Sequence, residues 1–429
     1  AGTFMNPPWT VSDPIPDAQF RELRLRMIFD HHKWDSQFED IDSIGRRVLV
    51  LDGSAWDQLR RQSEQLWAEA LAAEEEILGR PDLCRMLGLG RRLQKACTRT
   101  ARQAPATAMA RVMRFDFHFT EEGWRISEAN SDVPGGFIES CAFAELACKC
   151  HPGTFAAPDV GRLYAQAVAS SLGRGARVAF VHATAYTDDR QVMVFLAERF
   201  ADEGLVPELV SPADLVWVDG IPRSAVDAKK FDGIVRFFPA EWLLNIPRRN
   251  AWQRYFHGAA VPQSNPGYAL ISQSKRFPLV WDRLTTPLPT WKALLPQTCD
   301  PREVDWRKGD DWVLKPALGR VGEWIGIRGV TADKEWREIA RHAAKYPGFW
   351  AAQRRFQAVP AVGGNENLYP CVGVFVVDGK ACGLYGRAAS VPLINSHAQE
   401  IAVLIGSDVS ADRKTQAKET SVVVLGERG

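Results

Sequence analysis

The sequence has almost no net charge, few cysteines and no long apolar run. Its 53 Lys and Arg against 52 Asp and Glu leave a net +1. That balance gives no footprint for a polyanion or an acidic membrane surface, so neither nucleic acid nor membrane is expected as a partner. No apolar stretch approaches the length of a bilayer span. The opening residues, Ala1-Gly-Thr-Phe-Met5-Asn-Pro-Pro, lack the apolar core of a signal peptide; the first four read as a remnant before a native Met5. Eight cysteines in 429 residues are too sparse for a disulfide scaffold, so reduced thiols and a cytoplasmic protein are expected. Cys148-Lys-Cys150-His151 has no second ligand pair at zinc spacing, which favours buried or incidental cysteines. Also missing are a Gly-x-Gly-x-x-Gly turn after the first α/β strand, a Gly-Lys-Ser/Thr phosphate loop, internal repeats and low-complexity tracts.

With 46% hydrophobic and 24% charged residues the composition is that of a globular protein, and the length predicts two or three domains. The first third reads as mostly helical. Ser54 with Asp57 has the pattern of a capping box that opens a helix running to about Leu78. From Val160 onward, helices alternate with short β-branched runs (Arg177–His182, Val206–Val210, Phe231–Phe237), the signature of a small doubly wound α/β layer. Beyond Pro262 the pattern turns antiparallel: Asp311–Leu314, Phe349–Phe356, and a hairpin of Cys371–Val377 with Lys380–Arg387 across Asp378-Gly379. The tail from Gly406 to Arg413 is polar.

The most informative stretch is Arg114-Phe-Asp116-Phe-His-Phe119, Thr120-Glu-Glu-Gly123, Trp124-Arg-Ile-Ser-Glu128-Ala-Asn130. Alternation with aromatics predicts a strand, and Glu121-Glu122-Gly123 reads as a three-residue hairpin turn. That register sets Asp116 opposite Glu128 and Arg114 opposite Asn130, with all four side chains on one face. Two readings are open. The face is either solvated, with ordinary cross-strand ion pairs, or a hard-oxygen site that holds Mg²⁺ against a phosphate. Lys315 ends a strand just before the glycine-containing loop Gly319-Arg-Val-Gly322, where backbone amides approach phosphates easily. Lys275 reads as lying early in a helix, where the dipole does not favour a cation. Arg387 ends an apolar strand.

Together these stretches resemble the synthetase part of the glutathionylspermidine synthase family, which are ATP-grasp ligases. The matching segments are Arg114-Phe-Asp116 with Glu128-Ala-Asn130-Ser-Asp132-Val-Pro134, Ser274-Lys275 leading into Leu279-Val-Trp281, Leu314-Lys315-Pro316 through Gly322, Gln353-Arg-Arg-Phe356, and Cys371-Val-Gly373 through Arg387. They span about Trp34 to Ile405. The resemblance implies an ATP-grasp fold of two α+β lobes, with a small preceding α/β domain and a helical N-terminal region. The implied divisions are 1–165 (helical region and metal-binding hairpin), 166–262 (pre-ATP-grasp unit) and 263–429 (nucleotide-binding lobes). It also implies ATP and Mg²⁺ as cofactors. Asp116, Glu128 and Asn130 would hold the metal. Lys275, Lys315 and the Gly319–Gly322 loop would meet the phosphates, and Gln353 to Phe356 would frame the adenine. Arg114, Arg320 and Arg387 would surround the phosphate and the carboxylate substrate. The implied activity is ATP-dependent joining of a small-molecule or peptide carboxylate to an amine through an acyl phosphate, with release of ADP and phosphate. A homo-oligomer stays open.

Two departures bear on substrate. Asp132-Val-Pro-Gly-Gly-Phe137 lacks the hydroxyl residues that the family usually offers to glutathione, and Ala388-Ala389-Ser390 replace acidic residues that often follow the arginine. No acidic cluster for a polyamine stands out. The alternatives are glutathionylspermidine synthetase proper, a non-catalytic nucleotide-binding interaction module, and a kinase-like enzyme that stops at the phosphorylated product.

Overall fold

The computed structural model describes residues 7–38, 41–100, 109–320, 322–364 and 366–407. Residues 1–6 and the polar tail beyond 407 lie outside that set, as does Val321 in the glycine loop. Among the described residues no helix is long and apolar enough to cross a membrane.

A nine-stranded mixed sheet forms the main body. Its path runs Trp9–Val11, Ile44–Leu51, Gln399–Gly406, Lys380–Ala389, Glu366–Val377, Val112–Thr120, Gly123–Asn130. Strands from both ends of the sequence thus alternate in one sheet, and the divisions at 165 and 262 cut across it. Ile44–Leu51 runs parallel to Gln399–Gly406, and the neighbouring pairs are antiparallel. Helix Gly53–Leu78 lies on one face and buries Leu59, Leu66, Ala70, Ala73 and Ile77. It starts one residue before Ser54, and the N-cap position, Asp52, makes no side-chain cap. The expected capping box is therefore not formed; packing on the sheet supplies the stabilisation that the cap does not.

A second sheet is the small α/β unit, four parallel strands in the order Gln263–Ser264, Gly233–Arg236, Arg177–Val181, Val206–Val210. Helices Val160–Leu172 and Thr187–Asp202 pack beside it. A third sheet is antiparallel: Thr298–Cys299, Trp350–Arg354, Trp312–Pro316, Gly326–Ile327. Helix Asp333–Lys345 covers it, and Leu314, Ile339, Ala343, Trp350 and Ala352 make a separate small core. The result is an α+β ATP-grasp-like arrangement, with the site between the small antiparallel sheet and the large one.

Candidate active site

The hairpin Val112–Thr120/Gly123–Asn130 sets the register expected from sequence: Arg114 faces Asn130 and Asp116 faces Glu128. It reaches that register by a different route. Thr120 pairs with Gly123, so the turn has only Glu121 and Glu122 at its tip. Left uncorrected, the shorter turn would move Glu128 to the other side of the sheet. A bulge at Ser127 inserts the missing residue, because Phe117 pairs with Ile126 while Asp116 pairs with Glu128. Ile126 joins Phe115 and Phe117 in the core, while Glu128 and Asn130 turn to the opposite, polar face. Bulges beside sites re-aim side chains in this way. Here the bulged residue also works directly: the Ser127 carbonyl accepts from Lys315 Nζ at 2.9 Å, and its hydroxyl meets His118 Nε2 at 3.1 Å.

The polar face lines a cavity of about 440 Å³. Arg114 grips Asp116 with two hydrogen bonds, Nε to Oδ1 at 2.7 Å and Nη2 to Oδ2 at 2.9 Å. Its Nη1 donates to the Gly135 carbonyl, and its guanidinium lies 4.5 Å from the Tyr385 ring centroid. The cross-strand neighbour of Asp116 is Gly373, where a Cβ would stand 2.8 Å from Arg114 Cδ. Asn130 Nδ2 donates to Asp116 Oδ2 at 3.0 Å. Glu128 pairs with Lys275 Nζ at 2.7 Å. Burial alone would raise the Glu128 carboxyl, but Lys275 and Lys315 together hold it at about 2.

Lys275 does not sit inside a helix. It follows the short helix Leu270–Gln273, and its amide donates to the Ala317 carbonyl at 2.9 Å. That backbone bond sets Lys275 beside the end of the strand that carries Lys315. Lys315 also donates to Gln353 Oε1 at 2.7 Å. Burial pushes its ammonium down to about 8, with Lys275 acting in the same sense and Glu128 against it. Burial, and then Lys315, push the His118 imidazole to about 4, so it is neutral and lies 5.2 Å from the Phe356 ring. Gln353 completes the link by donating to Thr298 Oγ1 at 3.2 Å.

In the glycine loop, Gly319 N donates to the Pro316 carbonyl at 3.3 Å. Gly322 has φ +69°, and a Cβ there would stand 2.1 Å from the Ile394 carbonyl oxygen. Only glycine lets this loop lie against the 394–395 backbone. Arg320, on the same loop, is committed elsewhere: it pairs with Glu241 at 2.7 Å and with Asp132 at 2.6 Å. Asp132 in turn ion-pairs with Arg236, both side chains being fully buried. Arg387 lines the cavity, donates to the Asn395 and Ala398 carbonyls, and leaves its buried Nε without a hydrogen bond. Among the described residues it makes no ion pair.

Sequence reasoning missed the other end of the cavity. Lys33, only 1% exposed, lies 2.5 Å from Glu139, 2.7 Å from Glu400 and 2.9 Å from Asp35. Asp188 and Asp189 line the same cavity at the start of helix Thr187–Asp202. An acidic cluster that does not stand out in the sequence is therefore present in the fold. Four separated segments build it, and no local run of acids announces it.

Among the described residues no three His, Cys, Asp or Glu side chains converge as a metal-ligand set. Mg²⁺ at a phosphate needs only one or two carboxylates, the phosphate supplying further oxygens. Asp116, Glu128 and the Asn130 amide fit that smaller demand.

No curated protein matches the chain. Among solved structures, a glutathione synthetase-like effector from Globodera pallida superposes with a TM-score of 0.58 at 10% identity, over 91% of this chain and 99% of the effector. A putative gamma-glutamylcysteine synthetase from Methylobacillus flagellatus KT gives a TM-score of 0.43 at 13% identity, over 76% of this chain and 88% of that one. The first likeness establishes a shared fold. Residues 29–405, nearly all of the described structure, match the glutathionylspermidine synthase preATP-grasp family, and the chain belongs to that family.

Proposed function

We propose that the protein is an ATP-dependent carboxylate–amine ligase. The observation that carries this reading is the pairing of cations and hard-oxygen donors at a single cavity: Lys315 and Arg114 line it with Glu128, Asp116 and Asn130, and Lys275 stands behind Glu128. Family membership supports the ligase class. An arriving triphosphate would compete for Lys275 and Lys315, whose present partners are a carboxylate, a carbonyl and an amide oxygen. Mg²⁺, held by Asp116, Glu128 and Asn130, would neutralise charge on the transferring phosphoryl group.

The substrate carboxylate attacks the γ-phosphorus, giving an acyl phosphate and ADP. Positioning and cationic side chains do most of this work, because the charge sits on phosphoryl oxygens. A neutral amine then attacks the acyl carbon. Arg387, with a donor not otherwise used, faces the oxyanion, and phosphate leaves as the amide forms. The Gly319–Gly322 loop excludes water and protects the acyl phosphate. Glutathionylspermidine synthesis itself is the second reading, favoured by the acidic end of the cavity, which suits a cationic acceptor. The test is incubation of pooled acids and amines with Mg-ATP, read by mass spectrometry. A product one water lighter than the sum of an acid and an amine, with ADP released, supports the reading; AMP and pyrophosphate would overturn it.

A further inference from the structure

Glu400 and Arg387 are direct cross-strand partners, so their side chains share one face, and both line the cavity. Opposite charges at such positions ordinarily pair. Here they diverge: Arg387 reaches two backbone carbonyls, and Glu400 reaches Lys33 at 2.7 Å and the Tyr385 hydroxyl at 3.3 Å. The Tyr385 ring lies under Arg114, so Glu400 is tied through two side chains to the phosphate end. We propose that Glu400 is the base that takes the proton from the acceptor amine, beside Arg387 at the acyl oxygen. This role rests on the ligase reading above.

The groups that face Glu400 are Lys33 and Asp35 from the segment before residue 37, Glu139 from the helical segment Glu139–Phe143 that follows the hairpin, and Tyr385 and Arg387 from the adjacent strand, with Arg114 beyond Tyr385. One ammonium among three carboxylates, Glu139 buried and Asp35 and Glu400 half-buried, cannot hold all three fully ionised, since like charges in a low dielectric repel. Glu139 makes the closest contact with Lys33 and is only 5% exposed, whereas the Glu400 side chain keeps 17% exposure. Burial, then Glu139, push the Glu400 carboxyl up to about 7 against the pull of Lys33. A base in that range works best at neutral pH.

The step balances as follows. An ammonium acceptor gives one proton to the Glu400 carboxylate. The freed lone pair forms the C–N bond, the acyl C–O bond breaks toward phosphate, and the departing phosphate takes the second nitrogen proton. The carboxylic acid left on Glu400 returns its proton to solvent.

Hydroxylamine separates this role from the ligase reading, because it is already neutral near pH 7 and needs no base. Wild type and E400Q are incubated with Mg-ATP and a pool of glutathione and the common amino acids. One arm receives hydroxylamine, the other a pool of primary amines. Equal hydroxamate from both proteins is expected, with amine ligation down about 10²-fold in E400Q and its acid-side pH limb gone; E400D is expected to recover part of the rate. Hydroxamate from both proteins with undiminished amine ligation in E400Q overturns the role and leaves the ligase reading standing. Loss of hydroxamate in E400Q alone also overturns the role, since Glu400 would then serve the first half-reaction or the fold. Absence of hydroxamate from wild type overturns the ligase reading, and the role with it.

Discussion

Asp116 and Glu128 each carry a cation already, and that arrangement decides what their substitution does. Asp116→Asn and Glu128→Gln leave Arg114 and Lys275 without their anions but keep an amide oxygen as acceptor at each cavity-lining position. Both variants are expected to fold and to lose turnover. Steady-state assays beside circular dichroism check this, and wild-type rates in either would remove the metal assignment. Lys315→Ala deletes a charge whose hydrogen bonds to a phosphate are worth about 1.5–3 kcal/mol, so calorimetry should find ATP bound roughly 10- to 100-fold more weakly. Arg387→Ala removes an oxyanion donor and should lower kcat by about 10²–10³-fold with little change in ATP affinity. Equal loss of both would make it a nucleotide ligand instead.

At the scale of the element, the bulged hairpin shapes the polar face and the long helix backs the large sheet. The aromatic alternation of Phe115, Phe117 and Phe119 and the register of the four polar residues were legible in the sequence. The bulge at Ser127 was not, because a bulge has no strong residue signature, and here a one-residue error in the turn concealed it. Deletion of Ser127 would leave the strand in unbroken alternation with Glu128 still opposite Asp116 on the polar face, and would remove the bulge carbonyl that Lys315 reaches and the hydroxyl beside His118. The expected outcome is nucleotide binding weakened by the lost Lys315 contact, with a modest change in melting temperature; abolished binding with a sharply lowered melting temperature would show that the face depends on the bulge itself. The resemblance drawn from Lys275, Lys315 and the glycine loop located one side of the cavity. The Lys33–Glu139–Glu400 cluster stayed hidden because its members lie on three segments, 106 and then 261 residues apart, each locally ordinary. On the long helix, Glu76 accepts from the Thr285 and Thr286 amides and the Thr286 hydroxyl. Against a desolvation cost, these bonds hold its carboxyl at about 2 rather than 4.5. A depressed carboxylate stabilises above its unfolded pKa and loses that contribution as pH falls through the folded one. Glu76→Gln should therefore lower stability at neutral pH, with the gap to wild type closing between pH 4.5 and about 2, as urea titrations at several pH values would record.

At the scale of the whole molecule, Asp132 joins the three layers. It lies just past the hairpin of the large sheet, pairs with Arg236 of the small α/β unit and reaches Arg320 on the loop of the antiparallel sheet. Asp132→Ala strands Arg236, whose side chain is fully buried, and should cost about 3–5 kcal/mol. Arg320→Ala leaves the Asp132–Arg236 pair intact and should instead loosen the glycine loop, seen as faster hydrogen exchange around residues 317–325 with a small change in melting temperature. Similar stability losses in both variants would mean that Arg320 braces the fold rather than tethering the loop.

The interleaving of the large sheet has a consequence for synthesis. Ile44–Leu51 lies between Trp9–Val11 and Gln399–Gly406, so a strand made early on the ribosome waits for one made some 350 residues later. At ordinary elongation rates of about 5–20 residues per second, that edge stays bare for tens of seconds. A nascent chain with an open β edge is a natural client for chaperones.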